Sequence, residues 1–181
     1  MSRLRLIIFA VFFIKALVIP VFAQDTIQRM WSQIDWKTAN QARAEASKTA
    51  ENIIGNFHAS SPMELDKVTL PILIYGGNND WGTPRFRGQD TAYAVIYTPE
   101  RAKLSILGSS SKIIAPKGLN LAHESRAFES IGDGADYSFT RYGAFYTLRL
   151  TCDDPIKDKR CTDPQYLTNA AETLIVVGGR P

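Results

Sequence analysis

The 181-residue chain is 45% hydrophobic, 22% charged and 10% aromatic, with 21 Lys and Arg, 18 Asp and Glu, two His and two Cys. This balance excludes an intrinsically disordered chain, a disulfide-dense scaffold and a polytopic membrane protein, and the length suits one domain with a substantial core.

The charge is unevenly placed. Arg3 and Arg5 precede an apolar run over residues 6–14, which resumes after Lys15 over residues 16–22. Val21-Phe22-Ala23 then puts aliphatic and small residues at the −3 and −1 positions of a cleavage site. The pattern predicts a secretory signal peptide over residues 1–23, cut after Ala23. An uncleaved anchor is the competing reading. Lys15 in the middle and Pro20 near the end of the run weaken a spanning helix of marginal length. Removal of the leader takes Arg3, Arg5 and Lys15 with it and leaves 18 basic and 18 acidic side chains. The mature chain then lacks the basic excess that nucleic-acid binding requires, and carries no further stretch of membrane-spanning length.

Cys152 and Cys161 are the chain's two cysteines. In an oxidising compartment they would join, and closing so short a loop stabilises by about 2.5–3 kcal/mol on the chain-entropy model. None of the seven Asn residues is followed by x-Ser/Thr, which favours a bacterial envelope over a eukaryotic secretory route. The expected location is periplasmic or secreted.

In chain order, residues 25–57 read as helical. Ile27, Met30, Trp31 and Ile34 form an i, i+3, i+4, i+7 stripe behind an Asp25-x-x-Gln28 capping box, with a break near Asp35 where Ser32 or Asp35 can cap a second helix. Residues 67–75 form a short β-branched strand with Pro71 marking an edge or bulge, and residues 76–89 a long loop. Strands follow at 90–98, 103–108 and 111–115, and helical turns at 122–130. A hairpin over 137–142 and 145–152 turns at Gly143-Ala144, and Tyr137, Phe139 and Arg141 alternate with Ser138, Thr140 and Tyr142. Thr162-Asp163-Pro164-Gln165 caps a short helix, and a last strand spans 173–177. Strands succeed strands, so the class is α+β: an N-terminal helical segment (24–62), then a β-rich domain (63–181) with a mostly antiparallel sheet of six or seven strands and one short C-terminal helix.

Few groupings carry chemistry. His123-Glu124 are adjacent in sequence, which points their side chains apart on either a strand or a helix. Ser110 in the Gly108-Ser109-Ser110-Ser111 stretch could join His123 and Asp133 on paper, but no G-x-S-x-G elbow is present. His58 sits near a helix end, where it can serve the last carbonyls. Asp153, Asp154, Asp158 and Asp163 do not have calcium-loop spacing and are interleaved with Lys157, Lys159 and Arg160. No metal or cofactor motif emerges.

The remaining concentration is aromatic and cationic: Trp81, Arg85, Phe86 and Arg87 in the 76–89 loop, residue types that binding surfaces favour. The expected function is therefore an exported, non-catalytic binding or envelope-associated protein with a protein or glycan partner, contacting it through Trp81, Arg85, Phe86 and Arg87. The alternatives are a small exported hydrolase using His123 with Glu124 or Ser110, and a subunit of a larger envelope assembly.

Overall fold

A six-stranded antiparallel sheet frames the computed structural model, which describes residues 28–60, 64–77, 81–114 and 127–181. The elements run β1 (Gln28–Trp31), α1 (Trp36–Thr49), α2 (Glu51–Ser60), β2 (Ile72–Tyr75), β3 (Arg85–Gln89), β4 (Ala92–Tyr97), β5 (Ala102–Ser109), β6 (Ser111–Ile114), β7 (Ala127–Ile131), β8 (Gly134–Arg141), β9 (Ala144–Cys152), α3 (Lys159–Thr162), α4 (Pro164–Glu172) and β10 (Leu174–Gly178). The main sheet has the order β3-β4-β5-β9-β8-β7, and two further antiparallel ribbons pair β2 with β10 and β1 with β6. The α+β class and the antiparallel pairing match the sequence expectation.

Alternation along the strands decides which face of the sheet is buried. Tyr93, Val95 and Tyr97 of β4, Leu104 and Ile106 of β5, Ala135, Tyr137 and Phe139 of β8, and Ala144, Tyr146, Leu148 and Leu150 of β9 all point into one core. On the opposite face Arg149 holds Asp136, its direct cross-strand partner, through two hydrogen bonds of 2.8 and 2.6 Å. The β8–β9 turn is made by Tyr142 and Gly143, with φ of 52° and 78°. Positive φ at both central residues matches the strand twist in two-residue hairpins, so the turn falls one residue before the Gly143-Ala144 position expected.

The β2–β10 ribbon covers the buried face together with the helices. One edge of β2 pairs with β10. The other edge meets side chains instead of a strand. The Leu73 N–H donates to the Tyr93 hydroxyl at 2.7 Å, the Tyr75 N–H donates to the Tyr97 hydroxyl at 3.1 Å, and the Tyr146 hydroxyl donates to the Pro71 carbonyl at 2.9 Å. Three tyrosines on β4 and β9 thus satisfy backbone groups that burial would otherwise leave unpaired.

Cys152 and Cys161 form a disulfide that ties the end of β9 to α3. In the loop it closes, Lys157 pairs with Asp154 and Arg160 with Asp158. The Arg160 guanidinium, hydrogen-bonded to Asp158, holds that carboxyl below its ordinary range. No helix among the described residues is long and apolar enough to cross a membrane.

Several boundaries differ from expectation. Residues 28–31 are a strand, not the start of a helix: Met30 and Trp31 pair with Lys112 and Ser111, and this long-range ladder overrides the helical stripe. The anticipated break at Asp35 is where α1 begins. Asp35 caps it, accepting from the Thr38 N–H and hydroxyl at 3.0 and 2.7 Å. Residues 85–89, expected as loop, are the edge strand β3, because Phe86 alone among Arg85, Phe86 and Arg87 turns inward. The helical turns expected at 122–130 give way to β7 over Ala127–Ile131, and residues 122–126 lie outside the described residues. So do residues 1–23, Asp25, His123 and Glu124. The exposed large apolar side chains of the β1–β6 ribbon are Met30, Trp31, Ile113 and Ile114, with Trp31 57% exposed.

Replacing Tyr93 with Phe strands the buried Leu73 N–H. Chemical denaturation should show a loss of about 1–3 kcal/mol, against a change within about 0.5 kcal/mol for Tyr142→Phe, which bonds no strand backbone. Burial pushes the Tyr93, Tyr97 and Tyr146 hydroxyls above the ordinary tyrosine value near 10. Their contribution is complete below that value. As pH rises past it, the unfolded chain releases protons that the folded chain keeps, so stability falls. Denaturation midpoints should be flat between pH 8 and 9 in this respect, drop above pH 10, and drop less steeply in Tyr93→Phe.

Candidate ligand cleft

Trp81 is 6% exposed and stands beside β2, its ring 6.3 Å from Tyr75 at 72° and 6.4 Å from Tyr166 at 57°. Phe86, 2% exposed, meets Phe57 edge-on at 5.6 Å and lies 5.9 Å from Tyr93. Both rings belong to the core. Arg85 and Arg87 occupy the other face of β3 and reach water. Arg87 lies 3.5 Å from Glu64 and donates to the Phe86 carbonyl at 3.1 Å. The pleat of β3 thus divides Arg85 and Arg87 from Phe86, and Trp81, ahead of that strand, is buried in the core.

Trp81 instead forms a wall of a different feature. A cleft of about 470 Å³ opens between α2, the end of β2 and the chain at 81–84. This is within the usual size range of small-ligand sites. Tyr75, Tyr97, Phe57, Ile53, Ile74 and Pro84 line it with Trp81, and Thr49, Asn52, Asn56 and Thr83 supply polar groups. Gly76 and Gly77 continue β2 into the cleft. A Cβ at Gly77 would fall 2.6–2.8 Å from the Tyr75 ring, so glycine lets that ring fold over the backbone.

The hydrogen-bonding state of the lining is informative. The side-chain amides of Asn52 and Asn56, one turn apart on the exposed face of α2, reach solvent at the side of the cleft. Tyr97 accepts the Tyr75 N–H, and its own proton has no acceptor there. A buried phenol whose oxygen is fixed as acceptor offers its O–H as a donor at the cleft floor. Burial raises Tyr97's titration well above the ordinary value, so that donor stays protonated. Among the described residues the lining has no carboxylate, imidazole, thiol, amine or guanidinium, and residues 78–80, between Gly77 and Trp81, lie outside them. Its resources are rings, amides and hydroxyls.

Other candidates are dispersed. Ser110 is buried, its N–H and hydroxyl both directed at the Thr91 carbonyl at 3.0 and 3.5 Å. It follows Ser109, which pairs with Phe145 at one end of β9, whereas Asp133 precedes Gly134, which pairs with Thr151 at the other. Six residue steps separate these ends, about 20 Å at the rise of a strand, so Ser110 and Asp133 cannot belong to one triad. His58 Nε2 donates to the Val177 carbonyl at 2.7 Å, tying α2 to β10 and not to the helix's own last carbonyls. A second hollow of about 250 Å³ lies on the open sheet face between Phe145, Leu107 and Ile113. There Ser138 and Thr147 bond each other at 3.1 Å, and the Lys112 ammonium rests over the Phe145 ring at 5.3 Å.

Sequence reasoning reached Trp81 and missed Asn52, Asn56, Tyr75 and Tyr97. Two Asn at i, i+4 in a helix are a usable signal, because Asn is a poor helix former and gains nothing there from packing. Comparison of the chain with protein-family models, curated proteins and solved structures finds no match.

Truncating Trp81 to Ala removes a core ring and should cost about 3–5 kcal/mol in denaturation, while Arg85→Ala should stay within about 0.5 kcal/mol. Comparable small losses for both variants would remove Trp81 from the core.

Proposed function

We propose that the protein is an exported, non-catalytic binding protein that receives a small ligand in the cleft walled by Trp81. The observation that carries this reading is an apolar hollow of about 470 Å³ walled by Trp81, Tyr75 and Phe57, with the Asn52 and Asn56 amides at its exposed side. Binding sites are mostly apolar concavities with a few convergent polar groups, and this lining has that character. Export is supported by Arg3 and Arg5 ahead of the apolar run that ends at Ala23, and by the Cys152–Cys161 bridge, which persists in an oxidising compartment.

The test uses the exported chain and an Asn52→Trp variant. Asn52 is exposed on α2, so a bulky residue there fills the cleft mouth without entering the core. Each protein is equilibrated with a small-molecule extract of the culture envelope and medium, separated by gel filtration, and its bound fraction read by mass spectrometry. At least one compound should accompany the wild type and be absent from Asn52→Trp. Identical bound fractions would overturn the cleft as the site.

A further inference from the structure

Away from the cleft, the β1–β6 ribbon gathers apolar surface that the fold leaves in water. Five large apolar side chains are exposed among the described residues. Four of them, Met30, Trp31, Ile113 and Ile114, stand on this one short ladder at 38–57% exposure. Single exposed apolar residues are ordinary, but a patch of them marks contact with another surface. We infer that this ribbon docks on the surface of a bilayer containing anionic lipid.

The register fixes how the patch is arranged. Trp31 and Ile113 project with Arg29 from one face of the ribbon, and Met30 and Ile114 project with Lys112 from the other. A folded partner laid against one face would leave the other pair in water. A ribbon sunk into a headgroup layer has lipid on both. The base of the ribbon is pinned to the body of the protein, because the Ser32 N–H and hydroxyl donate to the Ser110 carbonyl at 2.9 and 3.0 Å.

Charge selects the lipid. The Arg29 guanidinium lies over the Trp31 ring at 5.7 Å and the Lys112 ammonium over the Phe145 ring at 5.3 Å. Cation beside ring is the pairing that suits an interface, with the ring at the acyl boundary and the charge among headgroups. Over residues 24–32 and 111–126, the ribbon strands with the sequence that continues them, four Lys and Arg stand against two Asp and Glu. Each cation near an anionic surface strengthens binding roughly fivefold. A second copy of the chain is a poorer occupant, since a two-fold contact between ribbons brings Arg29 and Lys112 against their own counterparts.

Position agrees with lipid as well. On the export reading, the leader ends at Ala23, five residue steps before Gln28 opens β1. Extended chain covers at most about 18 Å in that distance. While the leader lies in the membrane, the ribbon is therefore held next to the bilayer. Ile156, the fifth exposed apolar residue, stands between Asp154 and Asp158 in the disulfide loop and serves as a control.

The experiment floats the exported chain with phosphatidylcholine vesicles, with and without about 30% phosphatidylglycerol. Wild type should rise with the anionic vesicles and bind the neutral ones at least about tenfold more weakly, the gap narrowing as salt is added. Trp31→Ser and Ile113→Asn, both at exposed positions, should each weaken binding about tenfold with little change in thermal midpoint, and Ile156→Ser should leave it unchanged. Joint Arg29→Gln and Lys112→Gln should remove the preference for anionic vesicles. Brominated acyl chains should quench part of the wild-type tryptophan emission, and that part should be missing from Trp31→Phe, a readout that holds even if the polar variants fold poorly. Failure of wild type to rise with vesicles, equal binding to neutral and anionic ones, undiminished binding by Trp31→Ser, or a dimer in sedimentation that Trp31→Ser dissolves would each overturn the membrane assignment. The cleft stands or falls separately, through Asn52→Trp.

Discussion

Three phenol oxygens hold the two layers of this protein together. A two-stranded ribbon laid across a sheet has a problem on its inner edge: its N–H and C=O groups are buried, and no strand lies beside them. Tyr93, Tyr97 and Tyr146 meet that need from the sheet below, at Leu73, Tyr75 and Pro71. Each ring also fills core volume, so one residue type supplies both the apolar contact and the missing hydrogen bond. The end of β2 is thereby set in place, and with it Tyr75, the two glycines that follow and one side of the cleft. Fold and candidate site depend on the same contacts, since Tyr97 both receives the Tyr75 N–H and presents its proton to the hollow.

What could be read beforehand was what local chemistry decides. The β8–β9 hairpin declares itself by strict alternation: of Tyr137, Phe139 and Arg141, read as sharing one face, the two rings are buried and Arg141 at the turn is half-buried. The start of α4 is written in Asp163-Pro164, where Asp163 accepts from the Gln165 N–H at 2.9 Å. The disulfide follows from two cysteines nine apart. What could not be read was decided by distant partners. Residues 28–31 carry a sound helical stripe and become a strand because residues 111–114 are there to pair with them. β3 presents one apolar residue between two arginines, too little pattern to distinguish an edge strand from a loop.

The candidate site follows the same division. Trp81 stood out by type alone. Arg85 and Arg87, its neighbours in sequence, were separated from Phe86 by the pleat, which sends alternate residues to opposite faces. The amides that complete the cleft lie some thirty residues upstream on α2, and Tyr97 lies on a strand whose aromatic residues are explained equally well as core. Only the hydrogen-bond accounting, in which Tyr97 accepts once and has a proton to spare, separates its second role from the first.

The pairing of β2 with β10 also has a bearing on how the chain matures. Tyr75 is matched with Leu174, about 100 residues later, and the β1–β6 ribbon closes a span of more than 80. By contrast, the main sheet from β3 to β5 and the β7–β9 meander is joined by tight local hairpins. A chain emerging from its N-terminus can build that meander early, but its aromatic face stays uncovered until β10 has been made. Local pairing is quick and long-range closure is slow. Between the making of β9, which ends at Cys152, and of β10, which ends at Gly178, the sheet carries all three tyrosines without the completed ribbon that covers them, so the last stretch of the chain closes the core.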